Sequence, residues 1–387
     1  MKKILIVNTG SASVKYGLYE GEAELSRAHF EMEDGSFVVT LTVESKTERK
    51  QISVEDYKNS LEYLLEYRKL DGSDLEAAGV RIVSPGDYFL CNRQIDGDYI
   101  ERLSEKREET PLHIEPALEL VSKIREKMPS VPLYGISDSA FHASLPAQSR
   151  QYAIPYATAS QHEIYRYGYH GISIQSVLHK AEKMLGALPA KIIVCHLGSG
   201  ASITAVKDGN SFDTSMGYTP LEGLVMATRG GDIDPGVIVH LAEKLGLDHD
   251  DMKSYLNNEC GLLGLSGKSN DVRELLKLEK GGDTHATLAL EAWVYRIKKY
   301  IGAYTAALNG LDLLIFTATI GERSFVMRGR ILKELDILGI SVDEANNNAT
   351  ENNGALINTP DSKVKIAVIP TDEMAQMARD TRQLMAI

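Results

Sequence analysis

Cysteine is scarce in this 387-residue chain: Cys91, Cys195 and Cys260 are its three copies. They show no CxxC spacing, which excludes a cysteine zinc cluster and fits a reducing compartment. Long apolar runs are also missing. The N-terminal run from Ile4 to Val7 stops at Asn8. It is too short for a signal-peptide core, and nothing approaches the roughly 18–20 residues of a membrane helix. No membrane partner is expected, and the cytoplasm is the expected location. Positive charge is in deficit, with 42 Lys and Arg against 54 Asp and Glu, a net charge of −12. A nucleic-acid surface needs a concentrated basic face, so no nucleic-acid partner is expected. A few local arginines could still bind phosphate. No low-complexity linker interrupts the chain.

What is present is length and repetition. A chain of 387 residues is too long for one ordinary core, and two domains are the natural expectation. Residues 3–21, KILIVNTGSASVKYGLYEG, align without a gap to residues 191–209, KIIVCHLGSGASITAVKDG, at an offset of 188. Both read as an apolar strand, a Gly/Ser turn and a second strand. The echo suggests a duplicated domain in which each copy opens with a β-hairpin. The turns can be ordinary hairpin turns or phosphate cradles, since glycine lets main-chain N–H groups approach an anion. Their recurrence at one place in each half favours the cradle.

Further strands are expected at 36–44, 79–83, 131–136, 311–317 and 365–369. Helices are expected at 54–67, 116–127, 174–185 and 288–308. Residues 343–356 read as a polar, Asn-rich surface stretch. Strands mixed with helices imply an α/β fold.

Eight ordered blocks then resemble the acetate kinase family, across nearly the whole chain. They are NTGSASVK (8–15), SDSAFHASLP (137–146), YRYGYHGIS (165–173), HLGSGAS (196–202) and FDTSMGYTPLEGLVMATRGGDIDP (212–235). CGLLGLSGKSNDVREL (260–275), FTATIGERS (316–324) and IPTDEMAQMARD (369–380) complete the set. The resemblance implies two duplicated actin-like (ribonuclease H-like) ATPase domains with an interdomain active-site cleft, and a homodimer. Residues 1–143 plus 375–387 would form the first domain, on the acyl and phosphate side. Residues 144–374 would form the second, for nucleotide binding and dimerisation. The implied reaction is Mg2+-dependent, reversible and in-line: ATP and acetate give ADP and acetyl phosphate, with Mn2+ able to replace Mg2+.

Such a reaction joins two anions, so the site must neutralise charge and stabilise a transition state spread over phosphoryl oxygens. By resemblance, Arg81 and Arg229 are the charge clamp, since guanidinium groups grip carboxylate or phosphate and keep their charge. A surface ion pair for Arg81 and a loop pair with Asp232 or Asp234 for Arg229 are the plain alternatives. His170 would hydrogen-bond the transferring group, and Asp138 joins these three as the fourth catalytic residue. Asn8 and Glu373, together with Asp138, would organise magnesium and the phosphates. Asp138 and Glu373 could instead be helix caps.

Phosphate and nucleotide contacts fall to Ser11, Ser13, Lys15, His196, Gly198, Ser199, Gly200, Asp271, Arg273, Thr319, Ile320, Gly321, Glu322 and Arg323. The acyl pocket would be lined by Val83, Leu112, Tyr169 and Pro220, with His113 and His142 in supporting positions. Several positions depart from the family pattern: Val80, Ser84 and Pro85 around the first arginine, Glu115, Ser199, Met374, Tyr169 for phenylalanine, and Thr319 and Arg323 in the adenine loop. They leave room for another acid, such as propionate, or another phosphoryl donor, such as pyrophosphate. A nucleotide-binding protein without turnover is the non-enzyme alternative.

Overall fold

A computed structural model describes residues 3–10, 13–33, 35–44, 46–350 and 354–386. The chain forms two compact units, Met1–Ala140 with Asp372–Ile387, and Phe141–Thr371. Both crossings come three residues earlier than the sequence suggests, which places Glu373 in the first unit together with Asn8.

The first unit is built on an eight-stranded sheet. Its strands are β1 (Lys3–Thr9), β2 (Ser13–Glu20), β3 (Ala23–Glu33), β4 (Ser36–Val43), β5 (Lys46–Ile52), β6 (Leu75–Ile82), β7 (Arg93–Gln94) and β8 (Leu133–Ser137), in the order β5-β4-β3-β2-β1-β6-β8-β7. The central strands β1, β6 and β8 run parallel. A parallel strand is covered on both faces and so reads as a continuous apolar run, as Ile4–Val7 does. One cover is the helix Pro111–Lys127, which places Ile114, Val121 and Ile124 in the core. The other is the helix Glu373–Met385, which buries Met374, Met377, Ala378 and Thr381. Apolar side chains sealed in this way contribute about 1.5–3 kcal/mol each.

The second unit holds a six-stranded sheet of β9 (Lys191–Leu197), β10 (Ala201–Lys207), β11 (Asn210–Thr214), β12 (Leu313–Thr317), β13 (Ala355–Leu356) and β14 (Lys365–Val368), in the order β11-β10-β9-β12-β14-β13. Here β9, β12 and β14 run parallel. The helix Gly171–Leu185 packs Ile174, Val177 and Leu178 on it. The 24-residue helix Thr284–Ala307 buries Trp293, Ile297 and Ile301.

The order β3-β2-β1-β6-β8 in the first sheet matches β11-β10-β9-β12-β14 in the second, antiparallel and parallel pairs alike. The hairpin β1–β2 recurs as β9–β10, each strand beginning 188 residues later. In sheets of this kind ligands gather beyond the carboxyl ends of the parallel strands. Those ends carry Asn8, Arg81 and Asp138 in one unit and His196, Ala318–Arg323 and Pro370–Thr371 in the other.

Several elements differ from the sequence expectation. The stretch 54–67 is two helices, Val54–Lys58 and Ser60–Arg68, broken at Asn59. The helix expected from 116 begins at Pro111, with Pro116 inside it. The Asn-rich stretch is not all surface: it forms the helix Glu344–Ala349 and buries Asn347 and Thr350.

Candidate functional site

In the first unit three strand ends and one helix start bring four groups together. Val7 of β1 faces Val80 of β6, so Asn8 comes beside Arg81. The Asp138 N–H donates to the Ile82 carbonyl at 2.9 Å, extending the β6–β8 ladder and fixing the carboxylate next to the same arginine. Arg81 Nη2 donates to Asp138 Oδ2 at 2.8 Å, and Arg81 Nη1 to Asn8 Oδ1 at 3.3 Å. Asn8 Nδ2 donates to Glu373 Oε2 at 2.9 Å.

Burial alone would depress the Arg81 guanidinium, but the carboxylates of Asp138 and Glu373 outweigh it and hold the group above its ordinary range. Arg81 is therefore not a surface ion pair: its partner Asp138 is wholly buried. The cap of the last helix is Asp372, which accepts from Ala375, so the Glu373 carboxylate is left for Asn8. The cluster thus joins one arginine to two carboxylates and an amide. Lys15 faces Asn8 across the hairpin, and the Ser13 carbonyl closes the turn on Gly10. Ser11 lies outside the described residues. Val83 is buried, and its carbonyl accepts from Thr110 Oγ1 at 3.2 Å. The side chain of Leu112 falls outside the described set.

The second unit collects two histidines and the second arginine. His170 stands at positive φ (62°) before the helix Gly171–Leu185. Its Nδ1 is 3.0 Å from Ser202 Oγ, and its ring stacks on His196 at 4.0 Å. The Nδ1 of His196 is 2.8 Å from Ser173 Oγ, which also meets Thr371 Oγ1 at 2.8 Å. The second hairpin turn is closed by the Gly198 N–H on the Gly200 carbonyl at 3.1 Å, and the Ser199 carbonyl accepts from Ala227. A Cβ on Gly200 would lie 2.8 Å from Arg229 Nη2 and 3.5 Å from His170 Nε2. Glycine at this position lets the turn, the arginine and the histidine converge.

Arg229 Nη1 donates to the Pro220 carbonyl at 2.8 Å. No carboxylate among the described residues pairs with it. Asp232 is engaged by Arg296, Tyr300 and the Gly223 N–H, and Asp234 caps the helix Pro235–Leu245. With burial as the sole influence, the Arg229 guanidinium is pushed down to about 10, so it remains charged near neutrality. Uncompensated cations in such a position are apt to receive an anion.

Other expected contacts look inward or outward. Asp271 caps the helix Val272–Lys280 and pairs with Arg273 at 2.6 Å, and Arg273 is 87% exposed. Their charges are spent on each other at the surface. The expected adenine turn is a helix, Ala318–Arg323. Glu322 Oε1 in this helix accepts from the Ala318 and Thr371 N–H groups at 2.8 and 3.0 Å. Glu322 thus holds main chain, while Thr319 and Arg323 stand exposed, Ile320 is half-buried and Gly321 lies against Phe316. His142 holds the residue before His170: its ring nitrogens meet Ser211 Oγ at 2.8 Å and the Tyr169 carbonyl at 3.0 Å. His113 is half-buried.

The structure adds residues that the sequence reading passed over. Arg166, within YRYGYHG, pairs with Glu222 at 2.5 Å and donates to the carbonyls of Thr214, Ser215 and Met216. Arg328, wholly buried, donates to the carbonyls of Gly321, Glu322, Asn347 and Thr350 and to Asn347 Oδ1. The one available signal for Arg166 was its place inside a motif. For Arg328 there was none.

The model of the acetokinase family matches residues 3–379. This chain belongs to the acetokinase family. An acetate kinase of Helicobacter hepaticus is 39% identical, over 99% of this chain and 98% of the relative. Among solved structures, an acetate kinase of Porphyromonas gingivalis superposes with a TM-score of 0.88 at 35% identity, covering both chains fully. A propionate kinase of Francisella tularensis gives 0.90 at 36% identity, over 99% of this chain and 100% of that one. Membership of the acetokinase family and these superpositions make the two sheets a pair of actin-like domains.

Proposed function

We propose that this protein catalyses reversible transfer of a phosphoryl group between ATP and acetate, giving ADP and acetyl phosphate by in-line displacement. The observation that carries this reading is the uncompensated Arg229 guanidinium, held beside His170 at the Gly198–Gly200 turn. The acetate carboxylate is already ionised, so no strong base is required. Its oxygen forms the new bond to phosphorus as the bond to the ADP oxygen breaks, and ADP leaves with that electron pair. The remaining work is positioning and stabilisation of charge. In the second unit, Arg229 and His170 at the Gly198–Gly200 turn serve the phosphoryl oxygens.

Magnesium fits the first unit by donor chemistry. Asn8, Asp138 and Glu373 offer hard oxygen donors, and no group of three or more His, Cys, Asp or Glu able to hold a metal occurs among the described residues. Few protein ligands plus phosphate oxygens suit Mg2+, and Mn2+ could serve in its place. When bound, the ion supplies neutralisation of phosphate charge.

Acetate is favoured as the acid, and likeness to a propionate kinase makes propionate the second reading. A homodimer is part of the proposal. The helix Pro235–Leu245 buries no residue, although Val237, Val239 and Leu245 are 44%, 72% and 52% exposed. Leu288 and Tyr295 on the long helix are likewise exposed. A second copy of the chain would cover such a surface. No described helix is long and apolar enough to cross a membrane, and a cytoplasmic location is part of the same reading.

The test is acyl-phosphate formation trapped as hydroxamate with Mg2+, crossing acetate, propionate and butyrate with ATP, GTP and pyrophosphate. Turnover with ATP and acetate, reduced at least about 10²-fold by Arg229→Ala, is expected. Turnover with another pair alone would move the substrate assignment. Folded protein inactive with every pair would overturn the kinase reading.

A further inference from the structure

The loop that carries Arg229 is gripped by two tyrosines that have no place in the transfer chemistry itself. Tyr169 Oη donates to the Tyr218 carbonyl at 2.6 Å. The Tyr218 N–H donates to Tyr152 Oη at 2.8 Å, and Tyr152 Oη donates in turn to Glu222 Oε2 at 2.5 Å. One peptide segment is therefore held from both its N–H and its C=O side. Two residues on, the Pro220 carbonyl receives Arg229 Nη1.

The segment also reaches the histidine arm. The N–H groups of Tyr167 and Gly168 donate to the Gly217 carbonyl at 3.1 and 3.2 Å. Tyr169 immediately precedes His170 and is 1% exposed. Gly217 has no room for a side chain, because a Cβ there would lie 1.8 Å from Glu222 Oε2 and 2.1 Å from Tyr152 Oη. Arg166 fixes Glu222 from the other side. The hydroxyl of Tyr169, which a phenylalanine would lack, thus points at main chain and not at an apolar wall.

We propose that Tyr152 and Tyr169 are positioning residues that set the Arg229 guanidinium in register with His170 by clamping the Tyr218 peptide. This rests on the phosphoryl-transfer reading above. Tyr169→Phe keeps the ring and removes the hydroxyl tie between the two arms, while the Tyr167 and Gly168 bonds to Gly217 remain. Tyr152→Phe removes the tie on the N–H side.

The experiment is a double-mutant cycle of Tyr169→Phe, and separately Tyr152→Phe, with Arg229→Lys. Two readouts are taken on the full chain: turnover in the hydroxamate assay, and the calorimetric dissociation constant for inorganic pyrophosphate. The expected result is a kcat lowered about three- to ten-fold in each tyrosine variant, the range of one neutral hydrogen bond. KM for ATP should stay within about two-fold, and pyrophosphate binding should weaken about three-fold. In the Arg229→Lys background both effects should vanish, because the clamp acts through the guanidinium. Effects that multiply fully across the cycle in both readouts would overturn the proposal, as would KM changes without kcat changes. So would pyrophosphate binding that neither tyrosine variant alters, or no pyrophosphate binding at all. If the parent protein turns over no substrate pair yet shows coupling in pyrophosphate binding, the kinase reading falls while the positioning role stands.

Discussion

Asp380 gives a stability prediction whose sign and size follow from its surroundings. It lies on the helix Glu373–Met385, 5% exposed. Its Oδ1 accepts from Gln376 Nε2 at 2.8 Å, and its buried Oδ2 has no hydrogen-bond partner. Burial lifts the carboxyl from its ordinary 3.8 up to about 6, against weaker opposing pulls from Gln376 and Arg379. An acid raised in the folded state favours folding while protonated, and that contribution is complete below the unfolded value. It is lost as pH rises from 3.8 through about 6. At about 1.36 kcal/mol per pH unit, ionised Asp380 costs about 3 kcal/mol above this window. Asp380→Asn keeps an acceptor for Gln376 and cannot ionise. The variant should therefore be more stable than the parent by about 2–3 kcal/mol at pH 8 and about equal at pH 4. Urea unfolding at both pH values, followed by far-UV circular dichroism, measures the difference. A variant less stable than the parent at pH 8, or a difference independent of pH, would refute the reasoning. Either result would mean that the carboxylate is stabilised in the fold and not merely buried.

Two further substitutions test the second unit. Gly200→Ala places a methyl 2.8 Å from Arg229 Nη2, so turnover should fall more than about ten-fold by misplacing the clamp, with the unfolding midpoint nearly unchanged. Arg328→Met strips the buried cation from five oxygen acceptors and leaves them dry. A loss of about 3–5 kcal/mol is expected in urea unfolding, and a loss below about 1 kcal/mol would show that the main-chain carbonyls find other partners.

The parts of the fold legible in the sequence are those with one-dimensional signatures. The repeated hairpins appear as an ungapped echo because both copies keep strand, small-residue turn and strand at equal lengths. β1 and β9 show as apolar runs because both their faces are covered. β5 is invisible to the same reading, since Lys46–Gln51 are all exposed and no apolar alternation marks a strand that buries neither face. The start of the helix Pro111–Lys127 is masked by Pro116, which mimics a first-turn proline although the true one is Pro111. Asn347 looks like surface, yet its amide and main chain serve a buried guanidinium nineteen positions away. Arg166 is one arginine among many until Glu222 and three carbonyls some fifty residues downstream converge on it. Motif resemblance could nominate Asp271, Arg273 and Glu322, but not tell which carboxylates are already spent on caps and main-chain N–H groups.

The two arginines nominated as one clamp turn out to be electrostatically unlike. Arg81 is paired with Asp138 and lies in the field of the Glu373 carboxylate, which Asn8 holds. Its guanidinium is compensated before any ligand arrives. Among the described residues Arg229 has a carbonyl and no carboxylate as partner, so its guanidinium bears the cost of partial burial without an ion pair. Carboxylate and amide oxygens suit a divalent cation, and an arginine without a carboxylate partner suits phosphoryl oxygens. The division also explains why the tyrosine clamp belongs to the second unit. Arg81 is fixed by its own ion pair, whereas among the described residues Arg229 has no partner carboxylate to aim it and is held by the carbonyl of Pro220. An arginine left uncompensated for an anion must be oriented by neutral groups, and main chain held by tyrosine hydroxyls supplies that orientation without quenching the charge.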